Sequence, residues 1–157
     1  MKTGKASAKK VSDLQSHTGF WLRFVSNHVS YSFARRVGAS GVTVAEWVIL
    51  REMFDAEVTS PSALARATGL TRGAVSKLID RLLRKKLLTR AEAPDDRRFQ
   101  DVALTAAGRA LVPQLAALAD ENDEEFLHPL SREEREALVS TLKKLVHTNR
   151  LGKMPIE

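Results

Sequence analysis

Two helical patterns stand three residues apart between Ser60 and Arg84, and this spacing constrains the fold more than any other feature of the chain. Ser60 followed by Pro61 has the form of an N-cap and first helical position, opening "PSALARAT". Gly69 ends that helix, as a C-terminal glycine does. Leu70 and Thr71 make the turn, and Thr71 can cap a second helix. In that second helix, Ala74, Val75, Leu78, Ile79, Leu82 and Leu83 recur at the three-and-four spacing of one face. The opposite face carries Arg72, Gly73, Ser76, Lys77, Asp80, Arg81 and Arg84, with its small residues at the N-terminal end, where something bulky can approach. This is the sequence form of a helix-turn-helix, whose second helix can lie in a DNA major groove. A plain helical hairpin in a bundle has the same form.

The next residues favour the first reading. "LLTRAEA" and "FQDVALT" have strand length, and the second alternates around Val102 and Leu104. Between them, "PDDRRF" carries turn residues at Pro94, Asp95 and Asp96. A two-stranded ribbon directly after a helix-turn-helix is a wing. Its basic tip, with Arg97 and Arg98, suits the narrow minor groove, and Asp96 can hold the Arg98 guanidinium in place. The candidate DNA contacts are therefore Thr71, Arg72, Gly73, Ser76, Lys77 and Arg81 on the helix, with Asp96, Arg97 and Arg98 on the wing.

Charge is polarised along the chain. The net charge is +6, with Arg72, Lys77, Arg81, Arg84, Lys85, Lys86 and Arg90 crowded around the second helix. Acid gathers later, in "DENDEEF" and "REERE". Net charge favours an anionic partner only weakly, because solubility alone also accounts for it. With no cysteine in the chain, disulfides, thiolate nucleophiles and Cys-ligated zinc are excluded. No apolar run approaches the roughly 18 residues of a membrane span. Lys2, Lys5, Lys9 and Lys10 precede no apolar segment, so residues 1–12 read as a disordered basic arm and not as a secretory signal. His17, His28, His128 and His147 have no metal-ligand spacing, and no nucleophile sits in a catalytic context. The expectation is a protein that is not an enzyme and carries no cofactor or metal.

The remaining segments are helical. Residues from about Asp13 to Val37 carry Phe20, Trp21, Phe24, Tyr31 and Phe33, and Gly38 and Gly41 break the pattern. Thr43 can cap "VAEWVILREMF", with Val44, Trp47, Val48 and Leu50 or Arg51 at helical spacing. Thr105 can cap a long helix with Leu111, Leu115 and Leu118 on one side, bent at Pro113. Ser131 and Glu134 form a capping box ahead of Leu138, Leu142 and Leu145.

"GAVSKLIDRLLRKKLLTR", Asp-x-Arg at Asp96 and Arg98, and "LTAAG" from Leu104 to Gly108 together resemble the multiple-antibiotic-resistance regulator (MarR) family of winged-helix transcription factors. The detailed match runs from about Thr43 to Gly108. One departure is Lys86, where the family usually has glycine. The resemblance implies a mainly α fold, with a winged helix-turn-helix at 41–105, a two-stranded β wing, and dimerisation helices at 13–40 and 106–157. It implies a cytoplasmic homodimer on double-stranded DNA, acting as a repressor at a palindromic operator. It also implies a small aromatic or phenolic effector, for which Trp21, Arg23, Phe24, His28 and Trp47 are the candidate residues. Aromatics at such spacing more commonly form core. The peroxide-sensing branch of the family, which uses a reactive thiol, is excluded. The alternative is a winged-helix module for protein contacts, without sequence-specific DNA binding.

Overall fold

The computed structural model describes residues 11–91 and 101–151. A 3₁₀ turn at Leu14–Ser16 leads into α1 (Thr18–Ala39), α2 (Val44–Phe54), α3 (Pro61–Thr68) and α4 (Arg72–Arg84). Strands β1 (Leu88–Arg90) and β2 (Val102–Leu104) come next, then α5 (Ala106–Leu127) and α6 (Arg132–Thr148). The fold is a mainly helical winged helix-turn-helix. The strands pair antiparallel, Leu88 opposite Leu104 and Arg90 opposite Val102. Thr59, just before α3, bridges to Val102 and ties the α2–α3 connection to the ribbon.

Helices α2 to α6 each start where a side chain can take up a free N–H. Thr43, Ser60, Thr71, Thr105 and Ser131 all accept from the backbone three residues on. Gly69 takes the left-handed conformation expected of it, with φ 71°. The first helix differs from the sequence expectation at both ends. Asp13 opens the 3₁₀ turn, and α1 begins only at Thr18. Gly38 lies within the last turn of α1, so the break falls at Gly41, whose φ is 77°.

The core lies among α2, α3, α4, the ribbon and the first half of α5. Ile49, Leu50, Met53, Leu64, Val75, Leu82, Val112 and Leu115 are buried there. On α2 the buried stripe is Glu46, Ile49, Leu50 and Met53, with Trp47 only partly buried against the core. Of the expected stripe, Leu50 is buried, Val44, Trp47 and Val48 are partly buried and Arg51 is exposed, and the carboxylate of Glu46 takes a core-facing position that the pattern gave to none of them. Helix α5 runs unbroken through Pro113 and packs on α1. Arg36 on α1 meets Glu125 and Glu121, and Asn122, nearly buried, donates to the Val29 carbonyl at 3.3 Å. Helix α6 is different, since none of its residues is buried.

Candidate nucleic-acid interface

The amphipathic pattern of α4 decides which side chains can meet a ligand. Val75, Leu78, Ile79 and Leu82 are buried, and this burial fixes the rotation of the helix about its axis. The opposite face therefore projects outward. Thr71, Arg72, Gly73, Ser76, Lys77 and Arg81 are all exposed. A Cβ added at Gly73 would meet nothing within 4 Å, so the first turn is open to close approach. Three of these residues are cationic, and among the described residues none of the three pairs with an acid. Asp96, Arg97 and Arg98 of the expected wing tip lie outside the described residues, as does the basic arm over residues 1–10.

Not every cation of this region faces outward. Lys85, at the end of α4, reaches back to Glu46 Oε2 at 2.7 Å and the Gly41 carbonyl at 2.8 Å. Glu46 is only 1% exposed, and it also accepts from the Thr43 N–H at 2.7 Å to complete a capping box. Burial pushes its carboxyl upward. The bonds from Lys85 and Thr43, with the Lys85 charge, outweigh that and hold it below the usual carboxylate range. Arg90 lies 3.6 Å from Asp80. The charge pattern of the sequence counts Lys85 among outward-facing cations and misses Glu46 as its partner. The Thr-x-x-Glu spacing of Thr43 and Glu46 is the available signal, but the ion pair joins residues 39 positions apart.

The base of the ribbon shows why "LTAAG" has its residue types. Thr105 Oγ1 accepts from Gly108 N and lies 2.8 Å from the Lys86 carbonyl and 3.2 Å from that of Leu87. A Cβ on Gly108 would collide with the Leu87 carbonyl, so only glycine lets α5 approach the α4–β1 turn this closely. Next to it, Arg109 donates to the Phe54 carbonyl at 3.0 Å and lies 3.5 Å from that of Ala56, over the Phe54 ring. Nothing in the sequence pattern points to this contact.

The candidate effector residues fall in two places. Phe20, Trp21, Phe24 and His28 form a run of ring contacts along α1, the closest being Phe24 to His28 at 4.4 Å. Trp21, Phe24 and Arg23 are exposed. Trp47 takes no part in that run, and it packs on the core from α2. His28 lines an open cleft between α1 and the end of α5, with Tyr31, Arg35 and Glu125. Its Nδ1 lies 2.8 Å from the Phe24 carbonyl, which can only accept, so Nδ1 is the donor in this contact.

Residues 40–98 match the sequence model of the MarR family. A probable transcriptional regulator from Pseudomonas aeruginosa is 31% identical, with a TM-score of 0.74 over 85% of this chain and 99% of that one. BpsR of Bordetella bronchiseptica, whose DNA binding is regulated by 6-hydroxynicotinic acid, is 29% identical, with a TM-score of 0.76 over 87% and 98%. A mutant MarR from E. coli, solved with operator DNA, is 25% identical, with a TM-score of 0.75 over 86% and 99%.

Proposed function

The chain belongs to the MarR family of transcriptional regulators, and from that premise we propose that it is a dimeric repressor that reads a palindromic DNA operator with α4. The observation that carries this reading is the exposed, cationic, small-residue face of α4, opposite a fully buried apolar stripe. Ser76 and Lys77 are one turn into the helix, the position that meets base edges in a helix-turn-helix. Arg72 and Arg81 flank them on the same face and suit phosphate. Arg97 and Arg98 would reach the minor groove beside it, with Asp96 orienting Arg98.

Dimerisation through the terminal helices, over 13–40 and 106–157, is supported by the apolar surface they leave uncovered. Leu138, Val139, Leu142, Leu145 and Val146 on α6 are 39–49% exposed, and Trp21, Leu22, Phe24 and Val25 on α1 are exposed as well. A patch of this kind marks an interaction surface. A repressor of this kind works in the cytoplasm, with the chromosome, and needs no cofactor. No helix of the described residues is long and apolar enough to cross a membrane.

An aromatic acid is the effector class we propose, by analogy with the acid that regulates BpsR. The exposed rings of Trp21 and Phe24 offer stacking faces, Arg23 offers a counter-charge, and His28 offers a free ring nitrogen. The test of the whole reading is duplex binding across a salt series with footprinting of a selected site. We expect a two-fold symmetric footprint and a steep fall in affinity with salt. Binding to acidic proteins with no footprint on any duplex would favour the protein-contact module instead.

A further inference from the structure

Helix α2 is held at both ends by cations that come from other elements. At its start, Lys85 of α4 bonds the Gly41 carbonyl and Glu46. At its end, Arg109 of α5 bonds the Phe54 carbonyl, lies 3.5 Å from that of Ala56, and covers the Phe54 ring at 5.7 Å. From these two clamps we infer that α2 acts as a strut that fixes the angle between the recognition helix and α5, and so sets the half-site spacing the protein accepts. This inference rests on the DNA-reading function proposed above.

The physical reason lies in direction. Apolar packing of α2 on α4 and α5 resists separation, but it tolerates small rotations. Charge-assisted bonds to backbone carbonyls are directional, and each clamp has two oxygens in reach. Arg109 also sits at the negative end of the α2 dipole, where a cation is favoured. Lys85 meets the positive end, and the buried Glu46 carboxylate compensates for it. A buried ion pair adds little net stability, and its better use is to select one arrangement among several. Half-site spacing changes in steps of about 3.4 Å, the rise of one base pair, so the angle at which the recognition helix is held decides which step the protein fits. Arg109 and Lys85 are thus positioning residues, which act on DNA choice without touching DNA. Lys85, counted by charge alone, would have been assigned to a phosphate.

The experiment uses the full chain and duplexes recovered by selection from a random library with the wild type. Half-site spacing is then varied by one and two base pairs either way, and affinity is read by fluorescence anisotropy. Arg109→Met keeps a chain over Phe54 and removes the donors, and Lys85→Met does the same at the other end. Each should flatten the spacing profile, lowering discrimination against a one-base-pair error by about tenfold, the equivalent of one charged hydrogen bond. The salt slope should not change, because no phosphate contact is lost. Arg109→Lys and Lys85→Arg, which keep charge and donors, should restore part of the discrimination and serve where a methionine variant fails to fold. A sharp wild-type profile retained in folded methionine variants would overturn the strut. So would a salt slope that falls by one unit, which would make the residue a phosphate contact. A flat wild-type profile would overturn the strut as well, whereas a selection that recovers no bound duplex would overturn the DNA-reading function itself, which separates the two failures.

Discussion

Lys86 stands where a glycine would be expected, and its conformation gives a stability test with a defined sign. It follows Lys85, the C-cap of α4, and its φ is 57°, in the left-handed region. The Lys86 N–H bonds the Leu83 carbonyl, and the Leu87 N–H bonds that of Leu82, each at 3.0 Å. These are the two bonds of a Schellman motif, and its C′ position is where glycine is favoured. A side chain held in the left-handed conformation costs about 1–2 kcal/mol. Glycine removes that strain but adds chain entropy to the unfolded state, worth about 0.4–1 kcal/mol. Lys86→Gly should therefore stabilise the protein by about 0.5–1 kcal/mol, or about 2–3 °C in Tm for a chain of this length.

The assay is thermal and denaturant unfolding of the full chain at fixed protein concentration, since association shifts apparent stability. Lys86→Ala is the control. It removes the charge and the long side chain but keeps the strain, so it should gain nothing. The Gly–Ala difference at equal charge isolates the backbone. A glycine variant no more stable than the alanine variant would mean that the left-handed residue carries no strain. Arg150, with φ 52° and the same pair of bonds at the end of α6, should respond to glycine in the same direction.

Further outcomes are expected from the geometry and from the proposed DNA contacts. Gly108→Ala should cost about 1–3 kcal/mol by overpacking, because its Cβ meets the Leu87 backbone and not a flexible side chain; chemical denaturation measures it, and a neutral result would mean that the turn gives way freely. Lys85→Met should cost about 2–3 kcal/mol at neutral pH, below the full value for a buried pair because Lys85 is partly exposed. The wild-type Glu46 carboxyl is depressed, so its contribution is present above the carboxylate range and is lost as pH falls through the folded value. Without Lys85 that carboxyl rises instead, so the gap between variant and wild type should close in acid, and a pH-independent gap would sink the account. Lys77→Ala should cost about 1–3 kcal/mol on the selected operator and relax choice at one base position, whereas Arg98→Ala should weaken many sequences and lower the salt slope by about one. Asp96→Ala should imitate Arg98→Ala in part, and tighter binding would show that the aspartate only repels DNA.

Features that depend on neighbours within one turn of helix are legible in the sequence. The five side-chain caps, the Gly69 stop and the buried face of α4 each depend on residues less than about four apart. The buried stripe of α2 is not legible. Glu46 is charged, so a periodicity argument puts it on the wet face, and the bonds from Lys85 and the Thr43 N–H make its burial tolerable. Gly38 misleads for a related reason. A glycine marks a helix end only when the backbone uses its freedom there, and the positive φ belongs to Gly41. Thr105 and Gly108 are visible as a motif, but the close approach that needs them is to Leu87, and this is a tertiary fact.

The same distinction sorts the positive charge. The basic crowd from Arg72 to Arg90 is a single block in the sequence, and a net-charge argument would assign all of it to DNA. In the fold it divides by helix face and by partner. Arg72, Lys77, Arg81 and Arg84 stand on the exposed side of α4, and among the described residues they pair with no acid. Lys85 bonds Glu46 and Gly41, and Arg90 lies against Asp80. A cation already committed to a buried carboxylate cannot release counterions from a duplex without breaking that pair. The number of phosphates neutralised by α4 should therefore track the four outward residues and not the whole block. A salt slope measured on the wild type and on single alanine variants counts them directly.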